Sequence, residues 1–251
     1  MTIKIYGKGW VGKAMNQLFP EALIHDPAMG YVSEATAEVA FICVPSPCPN
    51  EGELDTSIVE DVVREADESL IVVRSTVNPA DCDRWAKKYN KNIVFQPEYL
   101  GETVSHPLLD PSKRRFLIIG GKPKDRRKLI DLYTIVYNAN TTIRQVSSYE
   151  AEVIKLSENK AIFEKLAGVQ TLYDACQASD GRADFYNVRD AVYGDDPRFN
   201  LWWTFVYPDK RGANSKCIPK DIFAWCAWAE SLGVKPSGVR ALLEKNKEWI
   251  S

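Results

Sequence analysis

The sequence is short of several features that mark specialised classes of protein. Its 251 residues include two histidines and six cysteines, and no spacing among them is that of a zinc site. No internal repeat or low-complexity segment occurs, and no run approaches the roughly 18 apolar residues that a membrane span needs. The hydrophobic share of 45% can form a substantial core, which excludes a disordered or collagen-like chain. We expect no bound metal and no membrane association.

An excess of charge of one sign is also lacking. Lys and Arg number 32 and Asp and Glu number 34, so the formal net charge is -2. This near-balance argues against a protein whose main partner is nucleic acid. The N-terminus lacks a basic segment followed by a long apolar stretch, so we expect no signal peptide. Six cysteines without a disulfide pattern favour reduced thiols and a cytoplasmic location.

The first half of the sequence, residues 1–146, alternates strand-like and helix-like segments. Several of the strand-like runs are continuously apolar and rich in Val and Ile, as expected for strands covered on both faces. This alternation predicts a Rossmann-like, doubly wound parallel sheet in an α/β domain. The predicted strands are Ile3–Tyr6, Ala22–His25, Val39–Val44, Leu70–Arg74, Ile93–Phe95, Phe116–Ile119 and Thr142–Val146. The predicted helices are Trp10–Phe19, Thr56–Asp67, Pro79–Tyr89 and Pro123–Tyr137.

The second half, residues 147–251, is predicted to be an all-helical domain hinged on one long helix. Ser147 and Glu150 have the spacing of a capping box, in which each side chain accepts from a backbone N–H of the first turn. Apolar residues then recur at helical spacing as far as Cys176, and the helix is predicted to end near Ser179. Two shorter helices are predicted at Pro219–Leu232 and Pro236–Trp249, each starting with a proline.

A glycine-rich turn follows the first strand and opens the first helix. Gly7-Lys8-Gly9-Trp10-Val11-Gly12 fits G-x-G-x-x-G, in which the first glycine permits the turn and the second lets backbone approach a pyrophosphate. The third glycine lets helix and strand pack closely. Asp26 ends the second strand, where a carboxylate accepts from a ribose hydroxyl and would repel a 2′-phosphate. The alternative is that Asp26-Pro27 only makes a turn. We favour NAD binding.

Six further segments carry a resemblance to a known family. They are Val44–Pro47, Ser75–Pro79, Gln96–Glu102, Ala151–Asn159, Asp196–Phe199 and Cys217–Asp221. In this order they resemble the motifs of the UDP-glucose/GDP-mannose dehydrogenase family over nearly the whole chain. The resemblance implies oxidation of the C6 alcohol of a nucleotide sugar to a carboxylate, with two NAD and one water consumed. It also implies a homodimer formed through the helical domain.

Cys217 is the predicted nucleophile. A thiolate adds to an aldehyde, and hydride loss then gives a thioester that water cleaves. Lys220 lies close in sequence, and the motif begins a helix at Pro219, whose N-terminus favours a thiolate. The alternative for any free cysteine is a small buried apolar residue, which fits Cys176 and Cys226 better.

The resemblance implies roles for five other catalytic residues. Lys155 and Asn159, four apart on the long helix, would hold the reacting oxygen. Without the resemblance, a solvated stripe including Glu152 and Glu158 would be preferred. Glu98 and Asp221 would act on or anchor the attacking water, and Thr76 would orient a water or sugar hydroxyl. Thr76 and Asp221 could instead cap helices.

The implied binding residues overlap with this catalytic set. The cofactor set is Gly7, Gly9, Trp10, Val11, Gly12, Asp26, Val44, Pro45, Ser46, Thr76, Glu102 and Lys220. The substrate set is Glu98, Tyr99, Leu100, Glu102, Lys155, Asn159, Arg198 and Asn214. In this family the residue corresponding to Arg198 commonly reaches the substrate of the neighbouring subunit.

Three departures from the family pattern leave alternatives open. The third, C-terminal domain that binds the nucleotide part of the substrate has no counterpart in the sequence. The family has G-F-G-G-x-C before and at the nucleophile, whereas this chain has Gly212-Ala213-Asn214-Ser215-Lys216-Cys217, with side chains at Asn214 and Ser215 in place of two glycines. The stretch from Asp26 to Val39 is also short. The favoured function is an NAD-dependent nucleotide-sugar 6-dehydrogenase, with UDP-glucose as default substrate. The alternatives are a non-catalytic or regulatory homologue that binds NAD or a sugar nucleotide, and a dehydrogenase of a smaller alcohol.

Overall fold

The structure is a computed structural model that describes residues 1–99, 101 and 110–251. The chain divides into two compact units. The first comprises residues 1–49 and 54–155, and the second comprises residues 50–53 and 156–251.

A seven-stranded sheet forms the centre of the first unit. Its strands are β1 Ile3–Tyr6, β2 Leu23–His25, β3 Val39–Ile42, β4 Leu70–Val73, β5 Ile93–Phe95, β6 Phe116–Gly121 and β7 Thr142–Val146. They lie in the order β2-β1-β3-β4-β5-β6-β7. The strand order, with β1 beside both β2 and β3, confirms the predicted Rossmann-like α/β fold.

One strand pairing differs from the predicted all-parallel sheet. β6 runs antiparallel to β5, pairing Val94 with Gly121, whereas β6 and β7 are parallel to each other. A parallel neighbour requires a long crossover, usually a helix. Among the described residues between β5 and β6, only the short 3-10 turn Pro111–Lys113 is helical.

The central strands of the sheet are buried on both faces, as their apolar sequences predict. Every residue of β3 and β4 is buried. One face packs Phe41 and Val72 with Phe19 and Tyr133 from the covering helices. The opposite face packs Ile42 and Val73 with other helical residues, including Trp85. Side chains of successive strand residues point to opposite faces, so each central strand contributes to both cores.

Helices cover the sheet and make up most of the second unit. They are α1 Trp10–Leu18, α2 Ser57–Glu65, α3 Asp81–Tyr89, α4 Pro123–Tyr133, α5 Ser148–Gln177, α6 Phe185–Asp190, α7 Ile218–Ser231 and α8 Ser237–Ile250. The main differences from prediction are that α3 begins two residues late and α4 ends four residues early. Ala80 precedes α3 with φ of 80°, a left-handed conformation that cannot continue a helix backwards to Pro79.

The long helix α5 begins with the predicted capping box. The Ser147 N–H donates to the Glu150 carboxylate at 2.8 Å, and the Glu150 N–H donates to Ser147 Oγ at 3.2 Å. The first turn then packs very closely on β6. A Cβ on Gly120 would lie 2.5 Å from Ala151 Cβ, so this position excludes any side chain. The start of α5 is therefore held in one place on the sheet.

The second unit consists of the rest of α5, helices α6 to α8 and a long irregular connection. A short π-helical turn, Ala191–Asp195, follows α6, and residues 196–217 lead without a regular helix into α7. In the described part of the chain, no helix is both long enough and apolar enough to cross a membrane.

Candidate functional site

The glycine-rich turn between β1 and α1 has the shape needed to hold a pyrophosphate. Gly7 has φ of 90°, and a Cβ there would lie 2.7 Å from the Cys43 carbonyl oxygen. A Cβ on Gly12 would lie 1.9 Å from the Gly7 carbonyl oxygen, which explains the third glycine. Around Gly9, a Cβ would meet nothing within 4 Å. The turn thus leaves open space at the glycine where a pyrophosphate would approach the backbone.

Asp26 lies at the end of β2 and contacts this turn directly. One carboxylate oxygen of Asp26 accepts from the Lys8 N–H at 2.7 Å. Trp10 and Val11 begin α1 beside the turn, and Trp10 is 45% exposed. The structure therefore brings Asp26, Lys8 and the glycines together at the carboxyl ends of β1 and β2, which is where open α/β sheets bind ligands.

The neighbouring strand ends carry four more of the predicted cofactor residues, Val44, Pro45, Ser46 and Thr76. The Ser75 hydroxyl donates to the Val44 carbonyl oxygen at 2.6 Å and so links the segments that follow β3 and β4. Ser46 is buried and Pro45 is exposed, whereas Thr76 is half-buried. These residues continue the same carboxyl edge of the sheet, next to the glycine turn.

Glu98 follows β5 and is held by two arginines that sequence analysis did not single out. Its carboxylate accepts from the guanidinium groups of Arg74 and Arg114 and from the Tyr99 N–H at 2.6 Å. All three charged side chains are buried. Two charge-assisted hydrogen bonds from guanidinium groups therefore fix the position of the Glu98 carboxylate. The only available sequence signal was the position of Arg74 at the end of an apolar strand.

Gln96 and Tyr133 complete this buried cluster. Gln96 Oε1 accepts from Arg74 and from the Tyr133 hydroxyl. Burial lowers the pKa of Arg74, but the Glu98 carboxylate together with Tyr133, Cys43 and Tyr137 outweighs burial, and the pKa is raised overall. Burial also raises the pKa of Tyr133, so its hydroxyl stays a donor. The cluster therefore presents Glu98 as a fixed charge at the carboxyl end of β5.

Lys155 lies on α5 close to Tyr99. Its side chain is largely buried, with Nζ 5.3 Å from the centre of the Tyr99 ring. Asn159 lies one turn further along the same helix, and it is buried as well. The predicted spacing of Lys155 and Asn159 on one helical face is therefore present, and neither residue belongs to a solvated stripe.

Glu152, one turn before Lys155, has a structural role that sequence analysis missed. It is fully buried and accepts from the backbone N–H groups of Ala80 at 2.6 Å and Cys82 at 3.0 Å. These donors belong to the N-terminus of α3, which has no cap from its own N-cap side chain. Burial raises the pKa of Glu152 to about 7, although the two backbone donors oppose this shift. Glu152 thus ties α5 to the turn that carries Thr76.

In the second unit, Asp221 joins α7 to α5. Its carboxylate accepts from Asn159 Nδ2 at 2.6 Å and from Lys220 Nζ at 2.6 Å. The Asp221 side chain is completely buried, whereas that of Lys220 is 22% exposed. A fully buried carboxylate needs such partners to remain charged. The predicted residues Asn159, Asp221 and Lys220 therefore form one connected polar group.

Cys217 is exposed and occupies the N-cap position of α7. The Ser215 hydroxyl, two residues earlier, accepts from the Ile218 N–H at 3.1 Å. Ser215 therefore caps the helix that Cys217 opens, which gives this replacement of a family glycine a physical reason. Cys176 and Cys226 are buried, in keeping with their apolar settings.

The loop that leads to Cys217 is anchored by α8. The Asn246 side chain accepts from the Ala213 N–H at 2.7 Å and donates to the Ala213 carbonyl oxygen at 3.0 Å. Gly212 has φ of 72°, and a Cβ there would lie 2.7 Å from Ile250 Cγ2. Sequence analysis assigned no role to Asn246, because its partner lies 33 positions away.

The remaining predicted substrate residues lie at the surface or outside the described residues. Arg198 forms an exposed ion pair with Asp196 at 2.5 Å. Asn214 is exposed in the loop before Cys217. Leu100 and Glu102 lie outside the described residues.

Comparison with known protein families gives two matches that together span most of the chain. Residues 29–139 match the NAD binding domain of the UDP-glucose/GDP-mannose dehydrogenase family, and residues 149–248 match the central domain of that family. The first match begins after Asp26. The assignment of the glycine turn therefore depends on its own geometry.

Curated relatives agree with these matches. The chain is 25% identical over 224 residues to UDP-glucose 6-dehydrogenase of Rickettsia felis, covering 84% of this chain and 48% of that protein. It is 26% identical over 235 residues to GDP-mannose 6-dehydrogenase of Pseudomonas aeruginosa, covering 85% of this chain and 52% of that protein. The chain thus spans about half the length of these relatives.

Solved structures share the fold. A UDP-glucose dehydrogenase from Pyrobaculum islandicum has a TM-score of 0.79 at 21% identity, over 98% of this chain and 68% of that one. A UDP-D-ManNAc dehydrogenase from Pyrococcus horikoshii has a TM-score of 0.79 at 17% identity, over 99% and 68%. With both family domains matched in order, the chain belongs to the UDP-glucose/GDP-mannose dehydrogenase family, of which it carries the NAD-binding and central domains.

Proposed function

We propose that this protein oxidises the C6 alcohol of a nucleotide sugar to the uronic acid, with NAD as the oxidant and UDP-glucose as the default substrate. The observation that carries the proposal is the combination of an exposed Cys217 at the start of α7 with the hydrogen-bonded Asn159–Asp221–Lys220 group, in which Asn159 and Asp221 are buried. Such a combination supplies a nucleophile together with polar side chains held in fixed positions.

The glycine turn fits the cofactor. NAD would be held by Gly7, Gly9 and Gly12 along its pyrophosphate and by Asp26 at a ribose, and when bound it accepts hydride. The open space at Gly9 supports this assignment, because a side chain there would occupy the pyrophosphate position. A carboxylate at Asp26 disfavours a 2′-phosphate, so NAD is preferred to NADP.

The first oxidation converts the alcohol to an aldehyde. The C6 hydroxyl would lose its proton to solvent water and C6 would give its hydride to bound NAD, so negative charge would develop on that oxygen. We assign Lys155 and Asn159 to this oxygen, the ammonium supplying positive charge and the amide a hydrogen bond. Their common face on α5 and their burial support the assignment.

The second oxidation passes through a covalent bond to Cys217. The thiolate would add to the aldehyde carbon, and the oxygen would take a proton from solvent to give a thiohemiacetal. The thiohemiacetal would then return that proton to solvent, give a second hydride to a second NAD and become a thioester. Water then attacks the thioester carbon, and the C–S bond breaks to release the carboxylate and the thiolate. The N-terminus of α7 favours the Cys217 thiolate both before it attacks the aldehyde and after it is released from the thioester.

We assign the handling of water to Asp221 and Glu98. Asp221 would accept a proton from the water, and its carboxylate is held in place by the Asn159 amide and the Lys220 ammonium group. Glu98, held by the guanidinium groups of Arg74 and Arg114, would anchor the water. Thr76 would orient a water or sugar hydroxyl at the neighbouring strand end.

We also propose that two copies of the chain associate through the helical unit. An exposed apolar segment supports this assembly. It comprises Phe199, Leu201, Trp202, Phe205 and Tyr207, each between 40% and 56% exposed. Patches of this kind mark interfaces more often than free surface. Sedimentation of Trp202→Glu should then give monomers, whereas Val234→Glu, at an exposed position outside the segment, should leave a dimer.

The cytoplasm is the location that suits this chemistry. The proposed nucleophile, Cys217, must stay reduced to add to a carbonyl, and the cytoplasm keeps thiols reduced.

One experiment tests the proposed reaction. Purified protein is incubated with NAD and a panel of UDP- and GDP-sugars, and NADH is followed by absorbance beside Cys217→Ala and the control Cys48→Ala. We expect two NADH for each sugar oxidised, loss of the acid product in Cys217→Ala, and retention in Cys48→Ala. Binding of NAD without turnover of any sugar would contradict the proposal and favour a regulatory homologue. Oxidation of small alcohols at a rate that Cys217→Ala does not change would favour a dehydrogenase of a smaller alcohol.

A further inference from the structure

The short stretch after β2 folds into a tight hairpin, which we call the 26–31 hairpin. The Asp26 N–H donates to the Tyr31 carbonyl oxygen at 2.7 Å, and the Tyr31 N–H donates to the Asp26 carbonyl oxygen at 3.0 Å. A single 3-10 turn, Pro27–Met29, and Gly30 with φ of 80° close the hairpin. The residues that shorten this stretch relative to the family therefore place Tyr31 beside Asp26.

Tyr31 also contacts the glycine turn. The centre of its ring lies 3.6 Å from Lys8 Nζ, a close contact between a cation and an aromatic face. The backbone N–H of Lys8 donates to the Asp26 carboxylate. Lys8 is thus held to the hairpin by its main chain and by its side chain, so the hairpin and the glycine turn form one structure.

These contacts define which part of a dinucleotide would meet Tyr31. The glycine turn identifies the position of the pyrophosphate, and Asp26 at the end of β2 identifies the ribose on the adenosine side. The Tyr31 backbone is hydrogen-bonded to that of Asp26 and the Tyr31 ring contacts Lys8 Nζ, yet the residue is still 41% exposed. An exposed aromatic ring next to an adenosine ribose has the chemistry to stack on a purine base.

We propose that Tyr31 is a binding residue for the adenosine half of the dinucleotide, with its ring stacked on adenine and oriented by Lys8. This proposal rests on the NAD binding in the proposed function and goes beyond it by naming a base contact. Ring stacking accounts for affinity without base-specific hydrogen bonds, so the same ring would accept ADP-ribose and AMP. An ordinary surface contact between a tyrosine and a lysine would have no such effect on affinity.

Calorimetric titration of the full chain tests this without any turnover. Wild type, Tyr31→Ala and Tyr31→Phe are titrated with NAD, ADP-ribose and nicotinamide mononucleotide. We expect Tyr31→Ala to weaken NAD and ADP-ribose by the same factor, roughly tenfold for the loss of one stacked base. Tyr31→Phe keeps the ring and should stay within about twofold of wild type, and nicotinamide mononucleotide should show no change.

Tyr89→Ala is the matched control. The Tyr89 ring also lies beside a lysine, with Lys88 Nζ 5.0 Å from its centre. Tyr89, however, ends α3 just before the amino end of β5, away from the carboxyl ends of the strands where the glycine turn lies. This variant should bind NAD as wild type does, and circular dichroism checks that each variant is folded. An unchanged ADP-ribose affinity in folded Tyr31→Ala would overturn the proposal and leave NAD binding intact. A wild type that binds neither NAD nor ADP-ribose would overturn both.

Discussion

The Asn159 amide donates to the Asp221 carboxylate at 2.6 Å and thereby connects α5 with α7. Lys220 Nζ donates a hydrogen bond to the other carboxylate oxygen of Asp221. Each carboxylate oxygen of Asp221, the proposed water-handling residue, therefore accepts a hydrogen bond from a side chain that also belongs to the predicted site. Any change at Asp221 acts on the helix that carries Asn159 and on the helix that Cys217 opens.

Asp221→Asn tests this connection. The substitution removes a fully buried charge and leaves the Lys220 ammonium without its partner, which should cost about 1–3 kcal/mol in the free energy of unfolding. If Asp221 accepts a proton from water, turnover should fall by about 100-fold or more. Urea unfolding and NADH release measure the two effects. Asp196→Asn, in an exposed ion pair with Arg198, is the control and should change stability by less than about 1 kcal/mol.

Glu152→Gln should change how stability depends on pH. The pKa of Glu152 lies near 4.5 when unfolded and at about 7 in the fold, so the folded state holds an extra proton between these values. The wild type should therefore lose stability relative to the variant as pH rises from about 4.5 to 7, by at most about 3 kcal/mol.

Urea unfolding of both proteins at several pH values from 4.5 to 8 gives this difference directly. Burial also raises the pKa of neighbouring Asp81. Because Asp81 is present in both proteins, its effect largely cancels in the stability difference between them. A stability difference that stays constant over this range would contradict the assignment of the shift to Glu152.

Gly120→Ala should destabilise the first unit. The added methyl group would lie 2.5 Å from Ala151 Cβ and 2.7 Å from the Ser147 carbonyl oxygen, so α5 must shift away from β6. Overpacking of this kind costs about 1–3 kcal/mol. Gly168→Ala, in the middle of α5, meets nothing within 4 Å and should be neutral or stabilising by up to about 1 kcal/mol. Thermal unfolding of the pair separates close packing from helix propensity, and equal shifts would contradict the packing argument.

Asn246→Ala should loosen the loop before Cys217. The variant leaves the buried N–H and carbonyl groups of Ala213 without their partner, at a cost of about 2–3 kcal/mol. Asn246→Asp should also be destabilising, because a carboxylate cannot donate to the Ala213 carbonyl oxygen. Hydrogen exchange of the Ala213 amide should accelerate in both variants. Exposed Glu244→Ala is the control, and an unchanged exchange rate in Asn246→Ala would show that Asn246 does not anchor the loop.

Much of the fold could be predicted because its signals are local. Strands β1, β5 and β7 have the predicted bounds, and the capping box starts α5 as predicted. The doubly wound α/β class follows from alternating strands and helices, whereas the order of the strands was not predicted. The direction of β6 could not be predicted, because strand periodicity is the same in parallel and antiparallel pairs.

The candidate site likewise contains residues that could be predicted from the sequence and residues that could not. Motif residues such as Cys217, Lys155 and the glycines of the turn could be proposed from short spacings and from the family resemblance. Their buried partners could not. Glu152, Arg114 and Asn246 carry no local signal, because each acts on a backbone or side-chain group 16 to 72 positions away in the chain.

The amino-acid sequence by itself determined the Rossmann-like class, the position of the phosphate-binding turn and the chemical character of the proposed site. These depend on residue type and on spacings of a few positions, within which backbone geometry is nearly constant. Only the tertiary structure decided that Tyr31 rests on Lys8, that two arginines hold Glu98 and that Asn159 meets Asp221. Contacts of that kind form because buried polar groups need hydrogen-bond partners, which here come from distant segments of the chain. No short spacing in the sequence predicts which segments will supply them.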